Sequence, residues 1–416
     1  MYLRLSIPMF LQWAIPGALV PLYSVRLRDV LGFDELTVAA CCATQAAASV
    51  VSSLIVGQVA DRWWPAEKAM SACAGVAGLA LWLLAGADRP VTVFFLTLLF
   101  WSVTGPMLLL GTTICFTHLT LPSRQFGPIR MWGTVGWMVS GWLIGGWLAD
   151  PAWLEPVRLA LRPEAPPARI EDACRLGAVL AVVLAAYALS LPATPPGARR
   201  RIGTARWLAP LEAARLLRSR SFAIYFASML GACITFAFST QSTPLLLCEL
   251  GVDASWVSTT LTLAQFTEVV LLAFLPWFLL RLGICGTMRL GLAAWLAAMS
   301  LLAVGRPLSL VIASLALNGV FITGFLITGQ VYLNSVAHGD LRASVQGLFS
   351  FINGLGQLLG NLLAGWLRHE TGGEVPSTFA VAALITAVIL GLFLTGFRPE
   401  PWTFSAGPQD VQHEPS

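Results

Sequence analysis

The chain has 416 residues, of which 57% are hydrophobic and 11% charged, with a mean hydropathy of +0.76. That excludes a soluble globular domain, in which roughly a quarter of residues carry charge. A net charge of +4 is too small to indicate nucleic acid, and the composition is that of an integral membrane protein.

Residues 1–26 begin with Arg4 and then turn apolar, as a signal peptide does. The run is too long for one and further spans follow, so it is expected to be a first transmembrane helix. Gln12 and Trp13 are its polar and aromatic features, and Pro16-Gly17 can kink it. Further spans are expected near 36–58, 68–86, 91–117, 126–149 and 174–192. A second set is expected near 221–247, 253–279, 285–305, 308–334, 343–368 and 376–397. The 16 tryptophans suit helix ends at the membrane interface. The 8 cysteines lie mostly in apolar segments without a CxxC pair, so they read as small apolar residues, with no disulfide framework, metal site or cofactor.

Residues 193–220 divide the two sets of spans. This stretch opens on prolines and glycine, then carries seven arginines against one acid, Glu212. Residues 206–220 have an amphipathic pattern, although a solvated, topology-setting linker is the simpler reading. With the N-terminus cytoplasmic, fifteen basic residues fall on the inner side and nine on the outer, so both termini are expected in the cytoplasm. GWLIGGWL at 141–148 and GNLLAGWL at 360–367 end equivalent spans. They suggest two parallel repeats about an axis along the membrane normal. The expected layout is an N-terminal six-helix bundle at 1–192, a basic cytoplasmic linker at 193–220, a second bundle at 221–398 and a disordered tail at 399–416.

Residues 126–150, FGPIRMWGTVGWMVSGWLIGGWLAD, cross a bilayer with one permanent charge, Arg130. An arginine facing lipid costs a few kcal/mol or more, so it should face protein or a water-filled cavity. Arg130, Thr134 and Trp137 are spaced i, i+4, i+7 on one helix face. Pro128 is expected in the first turn, and the glycines allow close helix contact. In the eighth span, Gln265 and Glu268 share a face at i, i+3, and Glu268 is the one acid well inside a span. Such a carboxyl can bind a proton or accept hydrogen bonds. Asn353, Gln357 and Asn361 share a face of the eleventh span and are expected first to bond between helices and second to line the pore. His118 lies near a helix end and reads as incidental before it reads as a proton relay. Asp340 and Arg342 read as a loop and gate contact.

GQVADR at 57–62 resembles the loop motif between helices two and three of the major facilitator superfamily. The resemblance implies that Asp61 and Arg62 form a cytoplasmic gate, with Lys68 the remnant of the usual basic cluster. FGPIRMWGTVGWMV at 126–139, AAYALSLP at 185–192, AQFTEVV at 264–270 and LRASVQGLF at 341–349 together resemble the nucleoside:proton symporter family within it. The order and separations match over nearly the whole chain. The implied fold is all-α, with twelve transmembrane helices in two pseudo-symmetric six-helix bundles and a central site. The implied function is secondary transport of nucleosides by alternating access with proton symport, in a bacterial inner membrane, by a monomer.

Carried over residue by residue, Arg130 and Thr134 match nucleoside-binding positions. Trp137 stands where the family has a phenylalanine. Gln265 and Glu268 match a substrate-site glutamine and glutamate, and Glu268 is the expected proton carrier. The tenth span departs from the family: FITGFLITGQ at 321–330 places Ile322 and Thr323 where the family has an aromatic–aspartate pair. Threonine can hydrogen-bond but cannot carry a proton at physiological pH. Thr323 is kept as a solute contact, and Gln241, from the polar patch 239–243, joins it. The alternatives are an uncoupled facilitator, a carrier of another polar solute such as a sugar or nucleobase, and a non-transporting membrane sensor. An enzyme is not expected, since neither HExxH nor GxSxG occurs.

Overall fold

The computed structural model describes residues 2–62, 65–119, 122–150, 156, 168–194, 219–336 and 341–398; of residues 50–62, 122–124, 336, 341–344 and 346 only the backbone is described. Asp340 and the side chains of Asp61, Arg62 and Arg342 lie outside the described set, as does most of the 193–220 stretch.

All regular structure among the described residues is helical. The N-terminal half contains α1 (Tyr2–Val25, continued by a π-helical turn Arg26–Val30), α2 (Glu35–Arg62), α3 (Ala66–Ala85), α4 (Pro90–His118), α5 (Pro122–Leu148) and α6 (Asp172–Ala188). The C-terminal half opens with α7 (Arg220–Glu249). The run Ala254–Val304 is broken at Gly283, whose φ of 68° and ψ of 174° no helix contains; residues 254–282 are α8 and residues 284–304 are α9. Leu308–Phe321, a π-helical stretch Ile322–Ile327 and Thr328–Val336 run on as α10, followed by α11 (Leu341–Glu370) and α12 (Val375–Gly396). Counting 254–304 as one, eight of the described helices are long and apolar enough to cross a membrane. Their large exposed side chains, Trp82, Phe95, Leu280 and Leu384 among them, are the lipid-facing surface that a multi-pass protein requires.

The buried apolar side chains form two clusters, the second of which also takes in Leu22, Val25, Ile144 and Ala173 of the N-terminal half. In the first, Leu5, Ile15, Leu81, Phe100 and Leu184 pack together. In the second, Trp295 stacks on Phe321 with ring centroids 4.3 Å apart, and its indole N–H donates to Thr235 Oγ1 at 2.8 Å.

Glycines set the closest helix approaches. A Cβ on Gly136 would collide with the carbonyl of Phe10, and one on Gly17 would lie 2.7 Å from the Trp137 Cα, so α1 and α5 meet backbone to backbone. Between the halves, a Cβ on Gly145 of α5 would lie 2.5 Å from the Ser255 carbonyl of α8. One on Gly365 of α11 would strike Ala39 of α2. Two ion pairs join the halves at the end opposite the termini, Arg28–Glu249 at 2.7 Å and Arg368–Glu35 at 2.6 Å.

Three expectations need correction. Helix α5 begins at Pro122, so Pro128 sits inside it and Pro122 takes the first-turn position that suits proline. The fifteen inner and nine outer bases leave Arg130 as the one base expected inside a span, but Arg26 and Arg368 are buried too, at 1% and 0% exposed. Arg26 donates to the carbonyls of Leu84 and Ala87 at the end of α3, where a cation meets the negative end of the helix dipole. The amides of α11 bond along their own helix, from Gln357 Nε2 to Asn353 Oδ1 at 2.6 Å and from Asn361 Nδ2 to the Gln357 carbonyl at 2.9 Å.

Candidate functional site

The contact of α1 with α5 positions the first group of side chains. With no side chain on Gly133, Trp13 of α1 reaches the α5 surface; a Cβ there would lie 2.6 Å from Trp13 Cδ1 and 2.9 Å from Arg130 Nη1. The guanidinium carbon of Arg130 stands 4.3 Å from the centroid of the Trp13 ring. This cation–π geometry is worth about 0.5–2 kcal/mol, with the upper end where water is excluded. Trp137 joins the cluster, its ring 6.5 Å from that of Trp13 and tilted by 54°. Arg130, Thr134 and Trp137 are half-buried on α5. Trp13 is the member that residue spacing could not supply, because nothing local connects residue 13 with residue 130.

The facing wall comes from α8 and α10. Glu268 and Arg130 interact electrostatically across the halves, although no ion pair joins them. Gln265, one turn before Glu268, has its Oε1 buried without a partner. Helix α10 crosses α8 at this level: a Cβ on Gly319 would lie 2.6 Å from the Glu268 backbone nitrogen. Beside that crossing, Asn318 Oδ1 and Thr323 Oγ1 are also buried and unpartnered. Buried polar atoms normally have partners, and exceptions need a reason. Three of them lie on adjoining turns of α8 and α10. Asn318 was missed in the sequence because it interrupts a span no more visibly than many structural asparagines.

The departure at Ile322 and Thr323 has a backbone counterpart. The π-helical stretch Ile322–Ile327 begins there, and such bulges frequently occur at functional positions. Gly324 lies against Gly291 of α9, where a Cβ would approach the Gly291 Cα to 3.0 Å. Thr328 donates to the Thr323 carbonyl both through its backbone N–H and through Oγ1, the latter at 2.9 Å.

Gln241 sits apart from these groups. It lines a cavity with Tyr23, Cys42, Gln45, Gln357 and Asn361. With its amide oriented to satisfy its neighbours, the nitrogen donates to the Asn361 carbonyl at 3.2 Å and the oxygen accepts from Arg368 Nη2 at 3.1 Å. It is therefore already engaged, unlike Gln265. His118 is engaged as well, with Nε2 2.9 Å from Thr194 Oγ1. The Thr194 backbone N–H in turn donates to the buried Glu67 at 2.9 Å. All eight cysteines are unpaired, and the described residues hold no cluster with metal-ligand character.

Comparison with known proteins finds the following similarities. A family described as Nucleoside H+ symporter matches residues 1–401. The nucleoside permease NupG of Escherichia coli is 25% identical over 99% of both chains. The xanthosine permease of the same organism is 27% identical over 99% of this chain and 98% of its own. A crystal structure of the nucleoside transporter NupG superposes with a TM-score of 0.81 at 23% identity, covering 96% of this chain and 99% of that one. At this identity the superposition establishes the fold: two helical bundles of the major facilitator type.

Proposed function

The chain belongs to the nucleoside H+ symporter family, and from that premise we propose that it carries nucleosides across a bacterial inner membrane together with protons. It is a transporter and not an enzyme. The arrangement that carries this reading is the pairing of an aromatic-cationic wall, Trp13–Arg130–Trp137, with a wall of unpartnered polar atoms on α8 and α10. A nucleoside has one flat aromatic end and one hydroxyl-rich end. The base stacks on the tryptophans and bonds to Arg130 and Thr134. The ribose bonds to Gln265, Glu268, Asn318 and Thr323.

The halves 1–192 and 221–398 move about this site in alternating access, joined by the basic 193–220 linker, with both termini cytoplasmic. Asp61 and Arg62 serve as the gate at the cytoplasmic face. The working unit is a monomer. Protonation of Glu268 removes the charge that Arg130 senses and so biases the equilibrium between the two access states.

The test is uptake of labelled uridine and adenosine into proteoliposomes, with and without an inward proton gradient. Accumulation above equilibrium only with the gradient is expected. Uptake that merely equilibrates favours a second reading, an uncoupled facilitator, which Thr323 in place of a second carboxylate supports. No uptake by folded protein overturns the cargo.

A further inference from the structure

We propose that the nucleoside site selects by base, favouring 6-oxopurines over 6-aminopurines, because the wall that receives the base offers hydrogen-bond donors and almost no acceptors. This rests on the transport function proposed above and adds to it the chemical class of the base.

Arg130 sets the polarity of that wall. Among the described residues its partners are the Trp13 ring, 4.3 Å from the guanidinium carbon, and Glu268 at longer range. Neither takes a hydrogen bond from it. Its N–H groups therefore form a flat fork of donors without an acceptor, and a guanidinium stays protonated at any relevant pH. The side chain is half-buried, so it is held in place and still within reach of a solute.

The neighbours keep the same sign. A Cβ on Gly133 would lie 2.9 Å from Arg130 Nη1 and 2.6 Å from Trp13 Cδ1. The bare backbone of Gly133 thus sets the nitrogen-bearing edge of the indole beside the guanidinium. The indole N–H is a donor only. Trp142, Trp147 and Trp295 give theirs to Thr262, Asp172 and Thr235, whereas those of Trp13 and Trp137 meet no acceptor among the described residues. Gln12, next to Trp13, is turned away: its amide donates to Met9 Sδ, and its oxygen lies against Gly111 of α4. Thr134 is the group on this face of α5 that can accept.

Inosine and adenosine differ where this polarity acts. A 6-oxopurine presents O6 and N7 as adjacent acceptors, and an arginine fork takes both. A 6-aminopurine keeps N7 but puts an amino donor where O6 stood, so N–H faces N–H. The two nucleosides share their ribose and nearly the same ring face, and both are uncharged near neutrality. Stacking and sugar contacts therefore cancel in the comparison. Turning the solute round would bring the amino group to Glu268, but it would take the base off the tryptophans. The α10 rings on that side, Phe321 and Phe325, are buried in the core.

Initial uptake of labelled inosine and of labelled adenosine into proteoliposomes, with an inward proton gradient, gives the ratio of their kcat/KM values. Inosine is expected to be favoured roughly tenfold or more, as a good bidentate contact implies. Unlabelled 7-deazainosine, which has a C–H in place of N7, should compete with labelled inosine roughly tenfold less well than unlabelled inosine does. Arg130→Gln replaces the donor fork with an amide that both donates and accepts, the pairing that suits N6 and N7 of adenine. It should bring the inosine-to-adenosine ratio to one or below, even where both rates fall. A merely structural role for Arg130 would lower both rates and leave the ratio. Equal kcat/KM for the two nucleosides in the unaltered protein, or an inosine preference that survives Arg130→Gln, overturns the proposal. If Arg130→Gln does not fold or carries neither nucleoside, equal competition by inosine and 7-deazainosine in the unaltered protein overturns it instead. Uptake of neither nucleoside by folded protein overturns the cargo itself, which separates the failure of that reading from the failure of this one.

Discussion

Arg130 stacks over Trp13 with 4.3 Å between the guanidinium carbon and the ring centroid, which joins α1 to α5 at the level where Glu268 faces them. An interior arginine thus has an aromatic face rather than a carboxylate as its immediate neighbour. That leaves its N–H donors free for a solute and its charge within reach of Glu268.

Trp13→Ala is expected to raise the KM for nucleoside uptake about 2- to 30-fold, as loss of about 0.5–2 kcal/mol of cation–π and stacking energy implies. Trp13→Phe should retain most of the affinity. Arg130→Lys keeps the charge but not the planar fork and should resemble the alanine variant. An unchanged KM in Trp13→Ala would remove α1 from the site.

Glu268→Gln is expected to abolish uphill uptake while leaving exchange of labelled for unlabelled nucleoside across the membrane. Exchange needs the carrier to reorient with solute bound; accumulation also needs a proton. Gradient-driven uptake that survives the substitution would show that Glu268 is not the coupling group.

Thr323→Asp returns a carboxylate to the start of the π-helical stretch. The expected outcome is a steeper dependence of accumulation on the proton gradient, read as a larger proton-to-nucleoside ratio from the reversal potential. An unaltered ratio would mean that residue 323 does not lie on the proton's path.

Gly136→Ala places a Cβ against the Phe10 carbonyl and should lower stability by about 1–3 kcal/mol, in the manner of overpacked cores. The control is Gly75→Ala, where the added Cβ meets nothing within 4 Å and helix propensity favours the change by up to about 1 kcal/mol. Thermal unfolding in detergent separates the two.

Asp253 caps α8, accepting from the Ser255 N–H at 2.9 Å. Hydrogen bonding from Ser255, through its hydroxyl first and its backbone second, holds the Asp253 carboxyl below its ordinary value. A lowered folded-state pKa contributes stability above the unfolded value that is lost as pH falls through the folded one. Asp253→Ala should therefore cost about 0.5–2 kcal/mol near neutrality. The gap in unfolding midpoint between the two proteins should close in strong acid.

Much of the fold was legible because the membrane imposes a long apolar period on every span. Each expected helix in the described residues lies within a few positions of its place. Gln265 and Glu268 were legible for the same reason, since polar residues in an apolar run stand out. Arg26 and Arg368 were not. Beside a span, a buried arginine and a topology-setting one read alike, and Glu35 is 333 residues from the guanidinium it neutralises. The stacking of Trp13 on Arg130 was hidden in the same way. The intrahelical bonding of Asn353, Gln357 and Asn361 was misjudged because a shared face says where side chains point, not what meets them.

Gly283 connects α8 to α9 through a single non-helical residue, and Gly291 of α9 is seated on Gly324 of α10, next to Thr323. With Gly319 of α10 against the Glu268 turn of α8, these three helices close a triangle with almost no slack. A triangle is the one polygon that cannot shear. On the function proposed above, Gln265, Glu268 and Thr323 move together with this triangle, so the solute is expected to meet the same arrangement from either side of the membrane. For such a carrier the direction of net flow belongs to the gradients alone, and the same molecule would empty a cell as readily as fill it.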